Sequence, residues 1–292
     1  MKEANRVTTS ALVACLLFFG FQAERSYPGD GRLTPETVVS RHLQSIGSAE
    51  LLARAQSRVF IGATKVRFHQ GSLGELSGLG QFASEGRKLG MLFRYDGQDY
   101  RGEHFAFDGK HVTVGRFLPG KISILAEFVN RFDELMKQGL LGGALSLAWP
   151  LRNPEEIRRR LKYDEAKLGG RPVHALEYRA KGNLADFKIL MFFEPETFRH
   201  IRTEYRLHIS AAITGVFAIG TDKPDTYYVL SEEFANFKEV DGLTLPHRYT
   251  IGYSSEGQAR TFLAYWTIDA EQWQHNGNID PLMFTAGDVG SY

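Results

Sequence analysis

The stretch FRHIRTEYRLHI, residues 198–209, decides the fold class because its polar and apolar side chains alternate. One face of an extended strand would carry Ile201, Thr203, Tyr205, Leu207 and Ile209. The opposite face would carry Arg202, Glu204, Arg206 and His208. This alternation predicts a strand of an antiparallel sheet, with one side against an apolar interior and the other in water.

Segments of the same kind recur between residues 59 and 268, with Asp-Gly turns at 96–97, 108–109 and 241–242. Asp-Gly between such segments is a strong hairpin signal. Segments 227–230 and 234–237 are predicted to be separate strands, and the glycine-rich run 71–80 a connection. A sheet of about ten strands curls on itself. The predicted fold is mainly β (α+β), a strongly curved antiparallel half-barrel of about ten strands with helices covering its concave face.

Helical patterns precede and interrupt the strands. Thr34 before Pro35 marks a first helix that ends at Gly47, and Ser48 can cap a second short one. Residues 121–148 place apolar side chains on one broad helical stripe, after which Gly139, Gly142 and Gly143 are expected to loosen the chain. The stripe comprises Ile122, Leu125, Phe128, Val129, Phe132, Leu135, Met136 and Leu140. We expect this segment to lie across the concave face of the sheet.

Residues 1–23 have the pattern of a secretory signal peptide: Lys2 and Arg6 precede the apolar run ALVACLLFFGF at 11–21. The run is shorter than the ~20 residues of a membrane-spanning helix. Cleavage near Ala23 would leave a flexible lead at 24–32 and a single domain at 33–286. The alternative, lipid attachment at Cys15, would leave residues 16–21 exposed at the new N-terminus. A soluble periplasmic or otherwise exported protein is therefore expected.

Cysteine content and charge exclude several classes of protein. Cys15 is the only cysteine, so the mature chain has no disulfide, thiolate nucleophile or cysteine metal site. Removal of residues 1–23 leaves 33 basic and 33 acidic residues. A neutral chain has no general electrostatic reason to bind nucleic acid.

No catalytic motif is present: the chain has no nucleophile elbow, zinc-protease helix motif, phosphate-binding loop or dinucleotide fingerprint. We predict a protein that is not an enzyme, with no catalytic residue, metal or cofactor. His42 lies on the apolar stripe of the first helix and is interpreted as a packed residue. His104, His200 and His208 are expected to point to solvent.

Several phrases in order resemble the outer-membrane lipoprotein-sorting-type proteins, the LolA/LolB-like superfamily. These are VSRHLQSIG (39–47) with AEL (49–51), FDGK (107–110), GGRPVHALEY (169–178), FEPET (193–197), VDGLTLP (240–246) and IDPLMF (279–284). The resemblance spans about residues 33–285. It implies an incomplete antiparallel barrel plugged by helices, in a protein that carries lipoprotein acyl chains or other lipids through the periplasm or senses envelope conditions.

The leading hypothesis is a non-catalytic periplasmic carrier or sensor for a hydrophobic ligand, a lipid or an acylated protein. The predicted ligand-binding residues are Leu125, Phe128, Phe132, Leu135 and Met136 on the lid, with Met191, Phe193 and Tyr205 on the sheet. The apolar runs 187–193 and 210–220 fit either core strands or a cavity wall. The alternative is an envelope protein-interaction or sensing module with a filled core and no ligand. In either case we expect a monomer in transient contact with envelope membrane proteins. A hydrolase acting on envelope material is a third possibility without a visible catalytic group.

Overall fold

In the residues that the structure describes, twelve strands form one antiparallel, unclosed sheet. The strands are β1 Ser57–Phe68, β2 Glu75–Glu85, β3 Lys88–Tyr95, β4 Gly102–Phe107, β5 Val112–Arg116, β6 Leu161–Leu168, β7 Arg171–Tyr178, β8 Lys188–Phe193, β9 His200–Ile209, β10 Thr226–Val240, β11 Leu243–Glu256 and β12 Thr261–His275. This computed structural model describes residues 33–69, 74–118, 122–209, 225–256 and 261–287. The predicted signal peptide, its cleavage site, Cys15, the lead and the apolar run 210–220 lie outside these ranges.

The strand order is β5-β4-β3-β2-β1-β12-β11-β10-β9-β8-β7-β6. Every neighbour is adjacent in sequence except at the junction of β1 with β12, where Phe60 pairs with Trp273. The curved antiparallel half-barrel predicted from the sequence is therefore confirmed, with twelve strands rather than about ten. Strand β6 was not predicted, because its charged residues hide the alternation. Segments 227–230 and 234–237 form one strand, β10.

The turns agree with the sequence at one place and differ at another. Asp241 and Gly242, with φ of 51° and 79°, join β10 to β11 as the predicted hairpin turn. The prediction of a connection over 71–80 is wrong for its second half, since Gly78 and Gly80 lie inside β2. A Cβ atom at Gly78 would lie 1.8 Å from the carbonyl oxygen of Arg94, so glycine permits the close approach of β3.

Two capped helices open the described chain, as expected. Helix α1, Pro35–Ile46, begins after Thr34, whose hydroxyl accepts a hydrogen bond from the Thr37 amide. Helix α2, Ala49–Arg54, is capped in the same way by Ser48. The buried side of α1 consists of Val38, Val39, His42 and Ile46. Val38, Val39 and Ile46 join the main core of the sheet.

Residues 122–152, here called the plug, cover the inner face of the sheet. The plug contains α3 Ile124–Arg131, α4 Glu134–Lys137 and 3-10 turns at Gly143–Leu145 and Pro150–Arg152. The predicted apolar stripe therefore does not form one long helix. Further along lie α5 Pro154–Ile157 and 3-10 turns at Arg158–Arg160, Gly182–Leu184 and Pro281–Phe284. Plug residues share one core with inward side chains from both halves of the sheet.

The glycines of the plug fix its path, contrary to the expectation that they loosen it. Gly139, Gly142 and Gly143 have φ of 66°, 86° and 47°, which glycine adopts without strain. All three are buried. A Cβ atom on Gly143 would lie 2.7 Å from Cζ of Phe234. The helical period ends here because the chain needs left-handed residues to turn against β10.

Candidate functional site

The predicted ligand-binding residues belong to one buried cluster that joins the plug to the sheet. Leu125 and Phe128 lie on α3, Leu135 and Met136 on α4, Met191 and Phe193 on β8, and Tyr205 on β9. These seven side chains are at most 4% exposed. Phe132, which ends α3, is half-buried. The cluster combines residues of the plug and of the sheet, as expected. All of its members except Phe132 are closely packed.

Aromatic rings meet where α3 touches the sheet. The Phe128 and Phe132 ring centroids lie 4.9 Å apart, and Phe132 stands edge-on to Phe187 at 4.8 Å. Phe128 also contacts Tyr253 of β11 at 5.4 Å. Such tilted and edge-to-face pairs favour the association of the two surfaces.

A cavity of about 290 Å³ lies beside these rings. It is lined by Ile124, Glu127, Phe128, Arg131, Phe132, Thr226, Tyr228, Tyr253 and Ser255. The guanidinium carbon of Arg131 stands 5.4 Å from the centre of the Phe132 ring. The cavity, here called the α3 cavity, therefore combines aromatic walls with one anion, Glu127, and one cation, Arg131.

Glu103 fixes the start of α3. Its Oε1 accepts the Ser123 amide at 2.6 Å, and its Oε2 accepts the Ser123 hydroxyl at 2.6 Å and the Tyr100 hydroxyl at 3.0 Å. Ser123 in turn caps the helix through the Ala126 amide. Burial raises the pKa of Glu103, while the hydrogen bonds from Ser123 and Tyr100 oppose the rise. The residue is 1% exposed.

Glu232 of β10 holds the glycine turn of the plug. Its Oε1 accepts the Gly142 amide at 2.6 Å and the Tyr249 hydroxyl at 2.5 Å, and its Oε2 lies 2.6 Å from the Tyr205 hydroxyl. Burial raises the pKa of Glu232, against the opposing effect of these donors. Sequence reasoning missed this residue. Its position along the strand could have indicated its burial, because Leu230 and Phe234, two residues before and after it, point to the same interior face.

Two histidines lie in the core under Trp149. His42 is buried, as interpreted from its helix, and its Nδ1–H donates to the Phe198 carbonyl at 2.9 Å. The prediction that His200 points to solvent is wrong, because its ring stacks on Trp149 at 4.7 Å and meets Phe234 at 4.6 Å. Burial lowers the pKa of His42 to about 4. Burial also places the pKa of His200 well below its ordinary value.

His104 is also buried rather than exposed, since residues 281–284 cover the outer side of β3 and β4. Its Nε2 lies 3.0 Å from the Met283 carbonyl oxygen. Met283 and Phe284 form a small second core there with Ala83 and Ile279. Of the three histidines expected in solvent, His208 alone is exposed.

Open grooves also lie elsewhere in the described part of the chain. One of about 680 Å³ runs between α1, α2 and residues 152–158. Another, of about 600 Å³, is bounded by the β2–β3 turn, α4 and residues 147–160. Among the residues described, no three His, Cys, Asp or Glu side chains come together as a metal site. In the same ranges no helix has the length and apolarity to cross a membrane.

The site and sheet together define a plugged antiparallel half-barrel. No family model and no curated protein matches the chain. Among solved structures, it is similar to a DUF1329 family protein from Desulfovibrio piger, with 11% identity, TM-score 0.44, and coverage of 85% of this chain and 96% of that one.

Two further similar structures contain MucB. The Pseudomonas aeruginosa MucA/MucB complex has 10% identity, TM-score 0.22, and coverage of 82% and 99%. MucB in complex with MucA(peri) has 8% identity, TM-score 0.21, and coverage of 83% and 99%. Likenesses at these TM-scores do not indicate a function, and membership of the LolA/LolB-like superfamily stays a prediction.

Proposed function

We propose that this protein is an exported, non-catalytic binding protein for a lipid acyl chain, acting as a carrier or sensor. The observation that supports the proposal is the α3 cavity, where Phe128 and Phe132 of the predicted lid face Tyr228 and Tyr253 of the sheet. Export rests on the signal pattern of residues 1–23.

The α3 cavity suits the end of an apolar chain. Its volume of about 290 Å³ is close to the lower limit of ~300 Å³ for small-molecule sites. Each buried methylene of a ligand contributes ~0.8 kcal/mol, so a short stretch of acyl chain already gives measurable affinity. Glu127 and Arg131 both line the cavity, so its formal charge is balanced and does not select a charged end group. The proposed ligand is therefore the apolar part of an acyl chain.

A filled core favours the second candidate, an interaction or sensing module without a ligand. Leu135, Met136, Met191, Phe193 and Tyr205 are at most 1% exposed, so the centre of the predicted site is occupied by protein side chains. In this case the plug is a permanent part of the core.

Two measurements on the protein purified from bacterial periplasm separate the two candidates. One is binding of a fluorescent fatty-acid probe, and the other is native mass spectrometry of the protein as purified, with extraction and identification of any bound lipid. Phe132→Asp is the decisive variant, because Phe132 is half-buried at the cavity. Phe128→Asp would place a carboxylate in the core and unfold the protein. Leu79→Asp is the matched control, since Leu79 is 53% exposed and lies elsewhere, on β2.

The proposal predicts a co-purified lipid and at least about tenfold weaker probe binding by Phe132→Asp, equivalent to ~1.4 kcal/mol. Leu79→Asp should bind as the parent does. A lipid-free protein that takes up no probe would overturn the proposal and favour the interaction module. Equal binding by a folded Phe132→Asp variant would remove the α3 cavity as the site.

A further inference from the structure

The groove of about 600 Å³ beside α4, here called the basic cleft, is lined by five cationic side chains and by no Asp or Glu. The cations are Arg87, Lys137, Arg152, Arg160 and Lys181. They come from the β2–β3 turn, the plug, the chain before β6 and the chain after β7. Four separate segments of the chain thus bring positive charge to one concavity.

Most of this charge is not neutralised within the protein. Lys137 pairs with Asp133 at 2.6 Å. In the ranges described, the other four cations form no ion pair with a carboxylate. The guanidinium groups of Arg87, Arg152 and Arg160 donate instead to the main-chain carbonyls of Lys137, Leu52 and Arg179. Carbonyl oxygens orient these side chains and leave their charge uncompensated.

Arg58 is a buried cation that does not itself line the basic cleft. It is 1% exposed, and its Nη1 donates to the carbonyls of Ala144 and Leu145 at 2.7 and 3.2 Å. Its Nη2 has no hydrogen-bond partner. Burial, and then the positive charge of Arg152, lower the pKa of Arg58 to about 9. Its Nε donates to Nε2 of His275 at 3.2 Å, and His275 in turn pairs with Asp241, so this cation is held within the protein and adds positive potential near Arg152.

Trp149 forms part of the wall of the basic cleft. It is 1% exposed, and its indole N–H has no hydrogen-bond partner. An unsatisfied buried donor costs ~1–3 kcal/mol unless a ligand or water accepts its proton. The indole ring packs against His42 and His200 in the core, so the case for a ligand in the cleft rests on its cations.

We propose that the basic cleft binds a phosphate-type anion, a phosphate monoester or a pyrophosphate group. Arg152 and Arg160 are the expected primary partners because both are partly buried, and planar guanidinium groups match phosphate oxygens in pairs. Arg87 and Lys181, both exposed, stand at the mouth. The concave shape favours a small group over nucleic acid, which needs an extended basic surface. The proposal does not depend on binding of an acyl chain.

Calorimetric titration with pyrophosphate, at low and high salt, tests the site. Arg160→Gln and the Arg87→Gln/Lys181→Gln pair remove cleft charges. Arg158→Gln is the matched control, since Arg158 is exposed, pairs with Glu36 and does not line the cleft. Flotation with phosphatidylcholine vesicles, with and without phosphatidic acid, distinguishes a lipid headgroup from a free phosphate. Circular dichroism melting confirms that each variant is folded.

We expect saturable pyrophosphate binding whose affinity falls as salt is added. The affinity of Arg160→Gln should be about tenfold or more weaker than that of the parent, whereas that of Arg158→Gln should be unchanged. Flotation that requires phosphatidic acid and is competed by pyrophosphate would support the site and assign the anion to a lipid. Pyrophosphate binding without flotation would support the site and assign it to a soluble phosphate. No pyrophosphate binding, an equal loss in Arg158→Gln, or preference for a single-stranded oligonucleotide would overturn the proposal.

Discussion

The hydroxyl oxygen of Tyr205 lies 2.6 Å from Oε2 of Glu232 and 2.8 Å from the carbonyl oxygen of Leu140. A tyrosine hydroxyl has one proton, and a carbonyl oxygen only accepts. Both contacts are hydrogen bonds if Glu232 is protonated and donates to Tyr205, which then donates to Leu140. Oε1 remains the acceptor for Tyr249 and Gly142. The raised pKa of Glu232 agrees with this arrangement.

Replacement of Glu232 by Gln should stabilise the protein at alkaline pH, because the amide reproduces the hydrogen bonds of the protonated acid. The folded pKa of Glu232 lies above the ordinary value of 4.5. Its protonated form therefore contributes full stability below about pH 4.5, and this contribution is lost as pH rises through the folded pKa. Urea unfolding from pH 4 to 9 should show Glu232→Gln equal to the parent in acid and more stable than the parent in base.

Glu233→Gln is the control for this comparison, since Glu233 is largely exposed and pairs with Arg202. It should change stability little across the same range. A Glu232→Gln variant that is less stable than the parent by the same amount at every pH would contradict a protonated Glu232.

Acid should destabilise the protein through His42. The folded pKa of about 4 lies below the ordinary 6.5, so its contribution is full above about pH 6.5 and is lost as pH falls toward 4. The loss amounts to about 3 kcal/mol. His42→Asn keeps a donor for the Phe198 carbonyl but cannot titrate. Its unfolding free energy should be lower at pH 8 and decline less in acid.

His111→Asn is the comparison for His42→Asn, because the His111 side chain is 64% exposed. Its acid decline should match that of the parent, measured by urea unfolding between pH 8 and 4. An unchanged decline in His42→Asn would assign acid sensitivity to other groups, such as His200.

Gly143→Ala should destabilise the protein far more than Gly86→Ala. Both glycines have left-handed φ, 47° and 52°, so both substitutions incur the same ~1–2 kcal/mol of backbone strain. A Cβ atom at Gly86 meets nothing within 4 Å, whereas one at Gly143 lies 2.7 Å from Phe234 and 2.9 Å from His200. Overpacking adds ~1–3 kcal/mol at Gly143. Equal midpoints in guanidinium unfolding would mean that the plug shifts freely there.

Glu103→Gln should loosen α3 without unfolding the sheet. Both carboxylate oxygens of Glu103 accept hydrogen bonds from Ser123, and an amide offers only one acceptor oxygen. Loss of ~1 kcal/mol of local stability should speed hydrogen exchange in residues 124–131 by about fivefold. Glu127→Gln, on the exposed side of α3, should leave exchange unchanged. Equal exchange in the Glu103 variant would show that core packing alone holds the helix.

The alternation in residues 198–209 predicts the inward face of β9 correctly: Thr203, Tyr205 and Leu207 are buried. Glu204 on the polar face is nevertheless only 6% exposed, because Arg202 and Arg206 both pair with its carboxylate. Alternation assigns residues to faces, but it does not show what covers a face. For the same reason the burial of His104 under residues 281–284 was not predictable.

The parts of the candidate site that escaped prediction depend on long-range partners. The sequence around Glu232 is typical of a surface charge. Its burial depends on hydrogen bonds from Gly142 and Tyr249, which lie in other segments of the chain. The helical period of residues 121–148 identifies most of the buried side chains, but it is wrong for Ile122, which is 37% exposed, and Phe132 is only half-buried. It does not show where the chain leaves the helix, because the left-handed turns at Gly142 and Gly143 are fixed by contacts with Phe82 and Phe234.

The pairing of β1 with β12 has a kinetic consequence. Every other strand pair joins neighbours in sequence, whereas Arg58 and His275 are 217 residues apart. The entropy of closing so long a loop must be overcome before this pairing contributes any energy. We expect the two runs of hairpins, β1 to β5 and β6 to β12, to assemble locally and early. Pairing of β1 with β12 is then the rate-limiting step of folding.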